Sequence, residues 1–322
     1  TLVKSSAASD VYKRQGQSNP TYLVETNINN FVLRRKPPGK LLKSAHAVDR
    51  ECRVMTALHD TDVPVPKTFG YCDDETVIGT PFFVMDHVVG NIYWELLLPG
   101  CDPNQRREIY LSMNDTIAKL HNVDFNKVNL ADYGKHENYM GRQIHRWTKQ
   151  YKDSETQMIP EINELIEWLP KNIPSDQETS IVHGDFRLDN MIFDPITHEV
   201  KAILDWELST LGNPIADFTY HMMSWRLPAG AKGLGMMGSD LKSLNIPSES
   251  EYAELYYKKT GREKIDNWDF YMAYNIFRLA GIAQGIVGRV RDGTASSSEA
   301  KNYEAFVPIL GKLGWSIVEG IK

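Results

Sequence analysis

Residues 181–207 read IVHGDFRLDNMIFDPITHEVKAILDWE. Three short apolar runs, at 181–182, 191–193 and 202–204, are bounded by polar and turn residues. Runs of this length and setting read as buried strands. Asp185 and Asn190 stand five apart on the loop between the first two runs, and Asp205 closes the third. Loops and strand ends are where a rigid core presents reactive groups. The chemistry that fits is phosphoryl transfer. It needs a carboxylate near the attacking hydroxyl and oxygen ligands for magnesium. Asp185 is the candidate base, and Asn190 and Asp205 are the candidate metal ligands. A D-x-x-x-x-N string alone is common by chance, and three unrelated polar residues at strand ends are the bland alternative. The context weighs against that: His183 and Gly184 precede, apolar runs flank, and I-L-D-W-E follows with its Asp fifteen residues after Asn190.

The spacing is that of the kinase catalytic loop H-R-D-x-x-x-x-N, with Gly184 in place of Arg. H-G-D-F-R-L-D-N, I-L-D-W-E and G-N-P-I-A-D-F together resemble the aminoglycoside phosphotransferase family, also called choline-kinase-like. G-Q-S-N-P-T-Y-L-V and V-L-R-R-K-P-P-G-K-L-L-K-S-A-H-A-V-D-R-E resemble one branch of it. That branch comprises the kinase-like domain fused ahead of acyl-CoA dehydrogenases in animals, and free-standing bacterial relatives. The likeness runs from about Gly16 to the C-terminus. It implies an α+β, two-lobed protein-kinase-like fold with a small sheet-rich N-lobe and a larger helical C-lobe. Residues 16–89 would form the nucleotide-binding lobe and 90–322 the catalytic and acceptor-binding lobe. Residues 1–15 do not match the family's first strand and read as a non-native or disordered N-terminus.

The resemblance further implies ATP and Mg2+ as cofactors and a hydroxylated small molecule as acceptor, a hydroxyacyl-CoA or a hydroxy acid. An acyl-CoA dehydrogenase acting on the same pathway is the implied partner. A second reading is an aminoglycoside or choline-type kinase. A third, from another class, is a nucleotide-binding pseudokinase. Arg34 in a lysine slot and the unmatched N-terminus favour it, and Asp185, Asn190 and Asp205 oppose it.

Composition sets bounds. The chain has 322 residues, 42% hydrophobic and 24% charged, with a formal net charge of −6. These are ordinary values for a globular protein. No basic block suggests nucleic acid. Cys52, Cys72 and Cys101 are scattered, without C-x-x-C, which fits a reducing compartment and a cytoplasmic location. No apolar run approaches the ~18 residues of a membrane span. His136 and Glu137 begin like H-E-x-x-H but lack the second His, so no zinc site is read there.

Along the chain, Gly16, Gln17, Ser18 and Asn19 form a turn before a strand at 21–26. By the resemblance this hairpin covers the nucleotide phosphates, and small residues let backbone N–H groups approach phosphate oxygens. The next strand, 31–34, ends in Arg34, in the slot where kinases carry the phosphate-gripping lysine. A helix at 45–59, capped by Ser44, carries Val48, Cys52, Met55 and Leu58 at helical spacing. Glu51 on that helix is the candidate partner of Arg34. A solvated Arg at a strand end and a surface Glu are the bland alternatives. Strands at 68–72 and 80–86 flank an acidic turn. The resemblance puts adenine contacts on the backbone near Met85 and Val88.

Helices are expected at 105–122, 142–151 and 161–169, with His121 structural. Leu211 to Asp217 opens a helix without the long activation segment of protein kinases, which argues for a small-molecule acceptor. Asp217 reads as a first-turn charge stabilised by the helix dipole. Residues 227–238, rich in Gly and Met, read as a flexible loop, either a substrate lid or a plain surface loop. Ser248 or Ser250 caps a helix that Gly261 stops. A long apolar helix at 269–291 carries Arg278, the candidate acceptor contact. Pairing of Arg278 with Asp217 or a C-terminal carboxylate is the structural alternative. The local cations favour a neutral or anionic acceptor over a polyamine. A polar link at 295–298 leads to a last helix near 303–318.

Overall fold

Alternation in residues 30–35 buries Val32 and Arg34 on one face of a strand, and the neighbouring strand Phe82–Asp86 follows the same period, burying Phe83 and Met85. The computed structural model describes residues 19–37, 47–175, 178–230, 233–264, 266–293 and 301–321. The expected N-terminal tail, Gly16, Gln17, Ser18, the Ser44 cap and the 295–298 link lie outside these residues. The chain forms two compact units.

The first unit holds the described residues up to Tyr133, with Ile181–Thr210 and Ser239–Gly261. Its sheet is antiparallel. β1 (Thr21–Glu25), β2 (Asn30–Arg35), β3 (Thr68–Cys72) and β4 (Phe82–Asp86) lie in the order β1-β2-β4-β3. Register sets Arg34 opposite Thr21 on one side and Phe83 on the other. The Val48–Leu58 helix buries Val48, Cys52, Met55 and Leu58, as their spacing predicts. Glu51 is buried with them, not on the surface. Ala47, which makes no side-chain cap, stands at the N-cap of the described helix. The acidic turn after β3 is a single helical turn, Glu75–Ile78, capped by Asp74.

A helix Pro103–Asn122 opens with a capping box between Asp102 and Gln105. It packs on Glu249–Thr260, which Ser248 caps and left-handed Gly261 ends. His121 is structural: its Nδ1 lies 2.7 Å from the Tyr256 hydroxyl, buried. Strands Met191–Phe193 and Val200–Ile203 pair antiparallel, with Met191 opposite Ile203. The chain crosses this hairpin at Gly90, where a Cβ would meet the Phe193 carbonyl oxygen at 2.3 Å, so only glycine fits.

The second unit is helical: Tyr139–Ser154, Pro160–Trp168, Pro214–Met222, Trp268–Arg291 and Lys301–Ile321 are its main elements. Trp268–Arg291 is buried along most of its length. Gly281, Gly285 and Gly288 turn toward Trp147, Gln150 and Ser154 of the Tyr139–Ser154 helix. A Cβ at 288 would come within 2.6 Å of the Ser154 Cβ, so the glycines set how closely these two helices approach. The Gly- and Met-rich stretch is tied down at its described ends. Met236 N–H donates to Ser224 O at 2.8 Å, Met237 N–H to Leu227 O at 2.9 Å and Ala229 N–H to Met237 O at 3.0 Å. Met236 is fully buried. Composition alone suggested a flexible loop. Backbone pairing and one buried thioether decide otherwise for the residues described.

Candidate active site

The site is built from β2, the Val48–Leu58 helix and the three turns of residues 183–207, all within the first unit. Strand alternation points Arg34 inward, and helix periodicity turns Glu51 toward it. Arg34 Nε lies 2.7 Å from Glu51 Oε2, both side chains being buried. Arg34 Nη2 lies 2.7 Å from Asp205 Oδ1. Asn19 Nδ2 donates to Glu51 Oε1 at 2.7 Å. One guanidinium fork therefore engages two carboxylates. Arginine can do this where the compact ammonium of lysine presents no fixed fork. Burial raises the Glu51 carboxyl above its ordinary value, and the Arg34 charge opposes that rise.

Asp185 and Asn190 meet directly. Asn190 Nδ2 donates to the Asp185 backbone oxygen at 2.9 Å and to its Oδ2 at 3.1 Å. With its amide nitrogen so used, Asn190 would offer Oδ1 to a cation. Asn190 is held beside the end of the next strand, where its carbonyl accepts from Leu204 N–H at 2.8 Å. Asp205, the next residue, adopts a left-handed conformation with φ 65°. That conformation is uncommon outside glycine, and Asp and Asn tolerate it better than most.

His183 joins these parts. The Asp185 N–H donates to His183 Nδ1 at 3.2 Å, so Nδ1 is the acceptor. Nε2, 2.9 Å from Leu204 O, then carries the proton and donates. The ring is fully buried, 4.7 Å from the Trp206 ring. Sequence reasoning used His183 only as context for the motif. The structure shows it tying the Asp185 loop to the strand end that carries Asp205. Gly184 follows with φ 82°, and a Cβ there would lie 2.8 Å from Leu208 O. This explains why glycine replaces the arginine of the protein-kinase loop. Gly184→Ala is expected to lower stability by about 2 kcal/mol, measured by denaturant midpoint, from strain plus the clash.

Glu207 is the acidic residue that sequence reasoning passed over. A 3-10 turn, Trp206–Leu208, brings it back toward Asp205. Glu51, Asp205 and Glu207 each offer an oxygen within 4.8 Å of the others. The available signal was the D-x-E spacing, which is weak without the turn geometry. This all-oxygen donor set fits a hard divalent cation such as Mg2+. Burial, then the charges of Asp205 and Glu51, push the Glu207 carboxyl up to about 7. A carboxyl raised in the fold lowers stability as pH rises through its unfolded value, and the cost is complete above the folded one. Glu207→Gln escapes that cost. In metal-free buffer the variant is expected to gain on wild type from about pH 4.5 to about pH 7, by up to about 3 kcal/mol. Thermal melts across that range measure it.

Of the other predicted residues, Met85 is buried in β4 and pairs with Val32. Val88 packs on a cluster of Ile192, Ala202 and Leu204. Arg278 belongs to the second unit. It is buried, its guanidinium 4.3 Å above the Tyr220 ring and 5.4 Å from that of Trp147. Asp217 is also buried, on the first turn of its helix, and acts electrostatically on the same tyrosines, Tyr139 and Tyr274, as Arg278 does. A concavity of about 790 Å³ in the first unit runs along the outer side of the Glu51 helix, lined by Asp49, Arg53, Thr56 and Tyr71. It includes none of the predicted catalytic residues.

A small antiparallel sheet, a helix whose Glu pairs with a strand cation, and a D-x-x-x-x-N loop followed by a strand-end Asp define a kinase-like phosphotransferase fold. The model of the phosphotransferase enzyme family matches residues 14–254, and the chain belongs to that family. Mouse acyl-CoA dehydrogenase family member 10 is 46% identical over 301 residues, covering 93% of this chain and 28% of that protein. Human acyl-CoA dehydrogenase family member 11 is 41% identical over 303 residues, covering 94% of this chain and 39% of that one. The chain thus spans roughly a third of these relatives. A crystal structure from Ralstonia eutropha, of a protein proposed as an aminoglycoside phosphotransferase, superposes with TM-score 0.89 at 48% identity. That match covers 95% of this chain and 91% of the other. Choline kinase LicA of Streptococcus pneumoniae shares the fold at TM-score 0.57 and 13% identity, covering 95% of this chain and 99% of that one. Among the described residues no helix is long and apolar enough to cross a membrane.

Proposed function

We propose that the chain is an ATP- and Mg2+-dependent small-molecule kinase that transfers the γ-phosphoryl group to a hydroxyl acceptor. The observation that carries this is the pairing of Asp185 with Asn190 beside a strand end whose Asp205 is ion-paired to Arg34. Asp185 orients the acceptor hydroxyl and takes its proton. Asn190 and Asp205, with Glu207, would hold the metal, which when bound supplies charge neutralisation on the transferring group. Arg34 steadies phosphate charge, and Glu51 fixes the guanidinium. His183 keeps the Asp185 loop in register with Asp205. Residues 16–19 and the backbone near Met85 and Val88 serve the nucleotide in this reading, and Arg278 is the acceptor-side candidate.

The acceptor favoured is a hydroxyacyl-CoA or hydroxy acid. Its support is the similarity to two acyl-CoA dehydrogenase family members at 46% and 41% identity. A dehydrogenase working on the same compound is the corresponding partner. The test is ATP consumption across a panel of hydroxyacyl-CoAs, hydroxy acids, choline and aminoglycosides, with Asp185→Ala as control. Turnover confined to the acyl compounds and lost in the control is the expected result. Turnover on choline or aminoglycosides instead would overturn the acceptor. ATP binding without turnover on any acceptor would favour a pseudokinase.

A further inference from the structure

Within the first unit, the turn that carries Glu207 is tied to the helix that carries Glu51 by a chain of hydrogen bonds that the phosphotransfer reading does not use. Ser209 closes the turn. Its N–H and its hydroxyl both donate to Trp206 O, at 3.0 and 2.5 Å. The Tyr133 hydroxyl lies 2.6 Å from Ser209 Oγ and 3.2 Å from the carbonyl oxygen of Arg50, the residue before Glu51. The Ser209 proton is used on Trp206 O, so the Tyr133 proton goes to Ser209 Oγ, with Arg50 O as its second acceptor. Arg50 answers from the helix side. Its Nη2 donates to Tyr133 O at 2.6 Å and to Ser209 O at 3.4 Å, and its guanidinium lies 4.1 Å from the Tyr133 ring centre.

Tyr133 and Ser209 are both buried. Burial pushes the Tyr133 phenol up to about 12, so it stays protonated and keeps donating. The ordinary account is that a buried hydroxyl takes whatever acceptor is near, which stabilises the fold and does no more. The identity of its partners argues for a narrower role. One lies on the helix next to Glu51 and the other lies two residues after Glu207. Glu51, Asp205 and Glu207 are the acids whose oxygens gather within 4.8 Å of one another. Groups that orient metal ligands from behind are commonly worth about tenfold or more in metal affinity.

We propose that Tyr133 is a positioning residue for the metal site, its hydroxyl holding the Trp206–Leu208 turn to the Val48–Leu58 helix so that Asp205 and Glu207 keep their place beside Glu51. This rests on the metal-binding role given above to Asp205 and Glu207. Mn2+ alone is the probe, titrated into the full chain and followed by the paramagnetic resonance signal of the free ion. Wild type is expected to bind it saturably, and Asp205→Asn to lose nearly all of that binding. Tyr133→Phe, which keeps the ring beside Arg50, is expected to weaken it about tenfold. Ser209→Ala should do the same, and the double variant should lose no more than about twofold further, since both changes break one chain. Tyr110→Phe is the control. It removes another buried hydroxyl, bonded to Leu96 O at 2.7 Å, and should lower the melting temperature to a similar degree while leaving Mn2+ affinity within about twofold. Thermal melts also confirm that the variants fold. No saturable binding by wild type, or equal binding by Asp205→Asn, overturns the metal reading and this inference with it. Binding that Asp205→Asn loses but Tyr133→Phe and Ser209→Ala both keep overturns the inference alone. Equal weakening by Tyr110→Phe would reduce the effect to general stability and overturn it too.

Discussion

Asp205→Asn is expected to cut phosphoryl transfer by roughly three orders of magnitude while leaving the fold intact. Asp205 brings its carboxylate to Arg34 at 2.7 Å and stands next to the residue that binds the Asn190 carbonyl. In the proposed mechanism, removing its charge would take an oxygen donor from the metal that neutralises charge on the transferring group. Asparagine is the informative replacement because Asp205 has φ 65°, which Asn tolerates. Asp205→Ala should lose as much turnover, and in addition about 1 kcal/mol of stability from the left-handed backbone. Steady-state ATP turnover on the acceptor found by the panel, with melting curves alongside, measures both. A well-folded Asp205→Asn protein with near wild-type turnover would remove Asp205 from the mechanism.

Arg34→Ala is expected to have the largest effect on stability. The guanidinium is buried and bonded to both Glu51 and Asp205. Its loss leaves two carboxylates close together with no neutralising charge. Breaking a buried pair from one side costs about 3–5 kcal/mol. The sign of the pH dependence follows. Burial already raises the Glu51 carboxyl, with Arg34 as its main opponent, so the variant raises it further. The native variant then holds protons that the unfolded chain releases, and stability falls as pH rises past the unfolded carboxyl value. The deficit relative to wild type should be smaller near about pH 5 than near about pH 8. Denaturant midpoints at the two pH values test this, and a deficit that shrinks toward high pH would contradict the buried-charge account. Arg34→Lys keeps the charge without the fork, so it should recover only part of the loss.

Much of this was legible because local rules applied. Apolar runs around 181–207 gave short strands, and the residues between them could only lie on turns. Val48, Cys52, Met55 and Leu58 marked the buried face of a helix, and the same periodicity turned Glu51 inward. Glu207 was not legible. It is brought to Asp205 by a 3-10 turn that begins from a left-handed residue, and neither feature has a strong signature in composition. The stretch 227–238 was read as flexible because Gly and Met are permissive in isolation. Its described ends are tied by pairing with Ser224 and Leu227, a relation that composition does not carry. His183 was visible as a letter in a motif, but its role needs two hydrogen bonds to segments on either side of a hairpin.

By itself the sequence determined the family and the kinase-like fold class, and it put forward Asp185, Asn190 and Asp205 as the candidates for the chemistry. Periodicity, turn residues and the spacing of Asp185, Asn190 and Asp205 are properties of neighbours along the chain. Only the tertiary structure decided that Arg34 serves Glu51 and Asp205 at once and that Glu207 joins them. Those are meetings between residues as many as 171 positions apart, and burial makes each of them depend on the whole fold.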